Sequence, residues 1–182
     1  MSPANDQPID PERLAWPKEA EAASDSLEGN HYYDPDIRLA LWENVTRALE
    51  LEDIVLPRLR AAGDPAAEWI ERSERVAVES SDIGDDFFAR LDPGVASATL
   101  ALGAIGCIPF WSCNGGAFGG DHLAHEPMVR FFARAEHVAR LTACAVHANV
   151  RLSQLDGRCL LTAEDVEAMR AFASAILRTR EA

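Results

Sequence analysis

The sequence predicts one α+β domain, an antiparallel sheet of about four or five short strands packed with helices, behind a helical N-terminal part. Three observations carry this. Short apolar or aromatic runs at Cys107–Ser112 and Met128–Ala133 have the length and composition of buried strands. The pair Asp156-Gly157 lies inside Val150–Thr162 and is a favoured two-residue turn, so that stretch reads as a hairpin. Around these runs, apolar residues recur at helical spacing.

Taken in order, residues 1–28 are acidic and proline-bearing with Trp16 as the one bulky anchor, and they read as a flexible arm with a short helical turn after Asp10-Pro11. Residues 29–182 form the single domain. Asp-Pro recurs at Asp34-Pro35, Asp64-Pro65 and Asp92-Pro93. Asp offers a side-chain oxygen to the amides of a first helical turn, and Pro fits the first helical position because its missing N–H would be unpaired there. A first helix carries Ile37, Leu41, Val45 and Leu49. A second, over Leu51–Ala62, carries Ile54, Leu56 and Leu59 and is kinked or interrupted at Pro57. A third runs from Pro65 into Ile70, and Val76 and Val78 alternate with polar residues in a short strand over Arg75–Glu79. A fourth helix with Val95, Leu100, Leu102 and Ile105 ends at Gly106. Ala135–Ala148 is helical with Asn149 at its end. Thr162 and Asp165 make a capping-box pattern before a last helix striped by Val166, Met169, Phe172, Ala173, Ile176 and Leu177.

The chain has 182 residues and a formal charge of −13, so its general field repels phosphate backbones and anionic membranes. Lys18 is the only lysine, and no run of basic residues stands out, which argues against a nucleic-acid partner. The opening residues lack a basic and apolar signal pattern, and no apolar stretch is long enough to span a membrane. Cys107, Cys113, Cys144 and Cys159 lack the dense spacing of a disulfide scaffold, so reduced thiols and a cytoplasmic location are expected.

Chemistry, if the chain performs any, is expected in the Gly-rich loop at 113–126. Gly115, Gly116, Gly119 and Gly120 follow the first strand, and such loops aim backbone amides at a ligand. The spacing matches neither a Walker loop nor a dinucleotide fingerprint, and an ordinary surface loop is the competing reading. Asn114, the four glycines and Trp111 are the candidate ligand-binding residues, with Phe118 as a second pocket wall. Cys113, His122 and His125 carry sulfur and imidazole donors suited to a divalent metal such as zinc, with Asp121 or Glu126 orienting a ligand histidine or completing the set. Three such ligands leave an open position for catalysis. A second chemistry makes Cys113 a nucleophile with His122 or His125 as its base. The other cysteines read as buried and inert, and His137 and His147 as surface or core-edge residues. The acidic run Glu79, Asp82, Asp85 and Asp86 reads as a solvated connection.

The helix from Leu100 to Gly106, the F-W-S-C-N-G-G and F-G-G runs, His122 and the Pro127-led strand resemble a group of uncharacterised bacterial proteins over roughly residues 95–133. The resemblance implies that Ser112, Cys113, Asn114 and Gly115 form a defined turn, and it carries no activity. Two functions stay open: a metal- or small-ligand-dependent enzyme with its site in this loop, or a non-catalytic acidic interaction protein, an antidote or regulator masking a basic partner. The expected partner is accordingly a small molecule or a protein.

Overall fold

Trp42–Ala61 is one continuous helix, α1, where the sequence predicts two. Pro57 lies inside it. An interior proline removes one hydrogen bond and costs about 3 kcal/mol. Val55, Leu56 and Leu59 on the same turns are all buried, and each contributes roughly 2 kcal/mol. Burial wins, and the helix runs through. The buried stripe is Val45, Ala48, Leu51, Glu52, Val55, Leu56 and Leu59. Leu41, expected on that stripe, is exposed at the N-cap, where its N–H donates to Asn44 Oδ1 at 2.8 Å. Ile54 is likewise exposed.

The structure, a computed structural model, describes residues 9–18, 40–71, 91–119 and 124–181. The expected strand at Arg75–Glu79, the acidic run after it, Ile37, Asp34-Pro35, His122 and Gly120 lie outside these residues. Asp64-Pro65 behaves as expected: residues 65–71 are helical, and Asp64 Oδ1 accepts the Ala67 N–H at 3.1 Å. Asp92-Pro93 does not cap its helix directly. Helix α2 spans Ala96–Ala104, and its N-cap residue Val95 has no side chain able to cap. Every residue from Ala96 to Gly103 is buried, so α2 is the centre of the core, packed between α1, the sheet and the last helix.

Strands β1 (Ile108–Cys113), β2 (Met128–Phe132), β3 (Arg151–Leu155) and β4 (Arg158–Thr162) form an antiparallel sheet in the order β1-β2-β4-β3. Helix α3 (Ala135–Ala148) joins β2 to β3 and ends at Asn149 in the left-handed conformation. Helix α4 (Val166–Arg178) follows β4. Thr162 is not its cap. Asp165 caps α4, accepting the Ala168 N–H at 2.8 Å, while Thr162 belongs to β4 and accepts from Arg151 Nε. The expected stripe on α4 holds, with Val166, Met169, Phe172, Ala173 and Ile176 buried.

The register divides the sheet into two faces. Val129, Phe131, Cys159 and Leu161 point into the main core beneath the helices. Trp111 pairs with Arg130, and Arg130 with Leu160, on the opposite face. There Ile108, Phe110 and Phe132 make a second, smaller apolar cluster, helped by an irregularity between Pro109 and Trp111 that turns Phe110 outward. Residues 9–18 of the arm strap the hairpin end of the sheet. Asp10 N–H donates to Gln154 Oε1 at 2.7 Å, Ala15 N–H to the Gly157 carbonyl at 2.8 Å, and the Arg134 guanidinium lies 4.3 Å from the Trp16 ring centre. The turn expected after Asp10-Pro11 is a 3-10 turn, Pro11–Arg13. No helix of the described residues is long and apolar enough to cross a membrane.

Candidate functional site

Cys113 ends β1, and the chain turns at Asn114. That asparagine is buried, which obliges its polar atoms to find partners. Its N–H donates to Asp92 Oδ2 at 3.2 Å, its Nδ2 to the Pro93 carbonyl at 3.4 Å, and its Oδ1 accepts the Gly116 N–H at 3.1 Å. Gly115 follows with φ +68°, and a Cβ there would lie 2.4–2.8 Å from the backbone of Glu126. Only glycine permits both the conformation and that approach. The turn is therefore fixed by contacts from distant parts of the chain, as expected of a defined element. Its last described residue is Gly119, whose N–H donates to Gly116 at 3.0 Å.

A cleft of about 280 Å³ opens between this loop and the start of α4. Asn114, Gly115, Phe118 and His125 line one side, and Glu164, Asp165, Val166 and Glu167 line the other, with Arg60 from the end of α1 at the rim. Phe118 is buried and His125 exposed. Arg60 is ion-paired to Glu167, and Asp165 is engaged in capping α4. Glu164 is exposed and has no ion-pair partner among the described residues. Three carboxylates thus face one guanidinium. A second hollow of about 330 Å³ lies at the other end of the sheet, between Asp10–Ala15 and Gln154–Gly157.

The expected site residues separate in this geometry. Asn114, Gly115, Phe118 and His125 come together at the cleft. Trp111 does not join them, since it sits on the outer sheet face beside Ile108 and Phe110. Cys113 is only 4% exposed, does not line the cleft, and accepts the Gly115 N–H at its sulfur at 3.4 Å. Glu126 is held bidentately by Arg151 Nη2 at 3.1 Å from both oxygens. Among the described residues no three His, Cys, Asp or Glu side chains gather as a metal-holding group. The zinc set built on Cys113 and His125 needs His122, which lies outside these residues.

None of the four cysteines is in a disulfide, and all are buried. A thiol–imidazole contact does exist, at a place not anticipated: Cys107 Sγ lies 3.7 Å from His137 Nδ1. That nitrogen also accepts the Arg134 N–H at 3.3 Å, which assigns the ring proton of the neutral form to Nε2. Burial holds the His137 pKa below its usual value. Burial, reinforced by neighbouring Cys159, pushes the Cys107 thiol far up, and burial takes Cys159 up to about 12. These thiols stay protonated at neutral pH and are packing groups.

Two features had no local signal. Arg130 and Arg158 stand over the Phe110 ring at 5.6 and 5.8 Å, and Arg134 covers Trp16 nearby, so a basic patch forms from residues separated along the chain. The second is Glu52, fully buried within α1. Its Oε1 accepts the N–H groups of Gly94 at 3.1 Å and Ser97 at 3.3 Å, and its Oε2 accepts the Ser97 hydroxyl at 2.6 Å. Glu52 thereby supplies, from another helix, the cap that Val95 cannot provide to α2. Arg170 Nε stands 3.5 Å from Oε2 as an ion-pair partner, without a hydrogen bond. Burial pushes the Glu52 carboxyl up to about 7, against the opposing pull of Ser97, Arg170 and Gly94. The chain matches no protein-family model, no curated protein and no solved structure.

Proposed function

We propose that this protein binds a small cationic ligand, of the size of an alkyl amine, in the cleft between the glycine loop and the start of α4. The observation that carries this reading is the charge of the lining: Glu164, Asp165 and Glu167 against Arg60, with Glu164 paired to no cation among the described residues. A formal charge of −13 draws cations toward such an opening. Phe118 supplies an apolar wall for a carbon chain, and His125 a polar contact at the mouth. The glycine turn supports the reading because it is braced, so the cleft needs little ordering when a ligand enters. Binding is favoured over thiol chemistry, because the Cys113 sulfur is buried outside the lining.

Titration of the labelled protein with putrescine and spermidine, followed by amide resonances, tests the reading. Shifts at Gly115–Phe118, His125 and Glu164–Glu167 are expected, with Glu164→Gln weakening binding roughly twofold to fivefold, the range for losing one exposed charged contact. Succinate and phosphate should leave these resonances still. Amine-induced shifts confined to other surfaces, or none at millimolar ligand, would rule the site out.

A further inference from the structure

We infer that Glu52 is a positioning residue for the cleft, its charge setting how firmly the Asp92-Pro93-Gly94 turn grips the glycine loop. This rests on the cleft reading only for its effect on a ligand; the grip itself is a property of the protein alone. The chain of contacts is short. Glu52 Oε1 holds the Gly94 N–H at 3.1 Å. One residue back, the Pro93 carbonyl accepts Asn114 Nδ2 at 3.4 Å, and Asp92 Oδ2 accepts the Asn114 N–H at 3.2 Å. Asn114 in turn holds Gly116. On its other side the turn is pressed onto α4: a Cβ at Gly94 would lie 2.6 Å from the Val166 side chain, and Val166 lines the cleft. A single three-residue turn therefore touches the buried carboxylate, the glycine loop and the opposite wall.

The charge matters because hydrogen bonds to a carboxylate are roughly twice as strong as those to a neutral acid. Ionised Glu52 pulls the Gly94 and Ser97 amides inward; protonated Glu52 slackens both. The charged group facing it is Arg170 from α4, which also binds the exposed Asp53 on the helix of Glu52. From the 91–95 segment comes Asp92, in contact with Asn114 rather than with Glu52. From α2 comes only the hydroxyl and amide of Ser97.

Hydrogen exchange of the ligand-free protein between pH 5.5 and 8, normalised to intrinsic rates, tests the inference. The Asn114 and Gly116 amides should gain roughly fivefold protection as pH rises, with an inflection near 7, while globally exchanging core amides lose protection. The opposite signs separate a local grip from overall stability. Glu52→Gln mimics the protonated acid and should leave loop protection flat. Ser97→Ala removes a bond that favours the charged form, so the inflection should move to higher pH. An inflection that persists in Glu52→Gln overturns the inference. Putrescine affinity compared at the same two pH values, in wild type and Glu52→Gln, isolates Glu52 from the cleft's own His125, Glu164, Asp165, Glu167 and Arg60, which both proteins retain. Flat loop protection overturns the coupling and leaves the cleft reading standing. A titrating loop with no amine bound does the reverse.

Discussion

The sheet carries a glycine-bearing turn at each end, and the two are stabilised in different ways. At one end, Asp156-Gly157 joins β3 to β4 with both residues at positive φ, as a two-residue hairpin turn requires. Its geometry follows from the two residues themselves, and the arm packs against it. At the other end, Asn114 and Gly115 take their shape from Asp92, Pro93 and Glu126, residues between 11 and 22 positions away. The first turn is local chemistry. The second is a junction at which three parts of the chain meet, and the cleft sits against it.

The contrast predicts unequal responses to the same small change. Gly115→Ala should be the most damaging, by about 3 kcal/mol or more, since it adds left-handed strain to a backbone collision with Glu126 at 2.4 Å. Denaturant melts would show this as a large fall in midpoint; a loss under 1 kcal/mol would mean that the junction is not rigid. Next comes pH, which acts on the junction end through Glu52. The folded chain holds this proton more tightly than the unfolded chain does. The resulting stability is complete below about 4.5 and is lost as pH rises through about 7, a total of about 3 kcal/mol. Glu52→Gln should flatten that part of the stability–pH curve, and an unchanged slope in the variant would contradict the assignment.

Gly157→Ala should cost less, about 1–2 kcal/mol, because the added Cβ meets Ala15 at 2.9 Å and the arm can give way. Combining it with Ala15→Gly should recover part of the loss, and strict additivity would show that the strap and the turn do not press on each other. Gly119→Ala should be mildest, near 1 kcal/mol, since its nearest neighbour among the described residues is Ala66 Cβ at 4.0 Å and the left-handed conformation is the main penalty. A loss as large as that of Gly115 would mean that the whole loop, and not its first two residues, is clamped.

The same distinction governs what could be read from sequence. Helix α3 and its terminal Asn149, the Asp156-Gly157 hairpin and the stripe of α4 are all encoded by neighbours within a few positions, and they lie where the pattern puts them. Pro57 misled because its local penalty is smaller than the burial of Val55, Leu56 and Leu59 around it. Glu52, between Leu51 and Asp53, has the appearance of a solvated acid. Only the meeting of Gly94, Ser97 and Arg170, separated from it by 42 positions or more, makes its burial possible. At the candidate site, glycine spacing marks the loop, and Asn114, Gly115 and His125 line the cleft beside it. The facing wall of Glu164–Glu167 had no signal, because those residues had already been accounted for as the start of a helix.

Helix α2 is enclosed on every side. From Ala96 to Gly103 it has no side turned to water, so it lacks the exposed edge along which helices ordinarily fray. Its amides should be the slowest to exchange deuterium in the domain, opening only when α1, α4 and the sheet come apart together. Small side chains permit that enclosure. A leucine in place of Ala98 or Ala101, harmless on most helices, would have to displace a neighbour here.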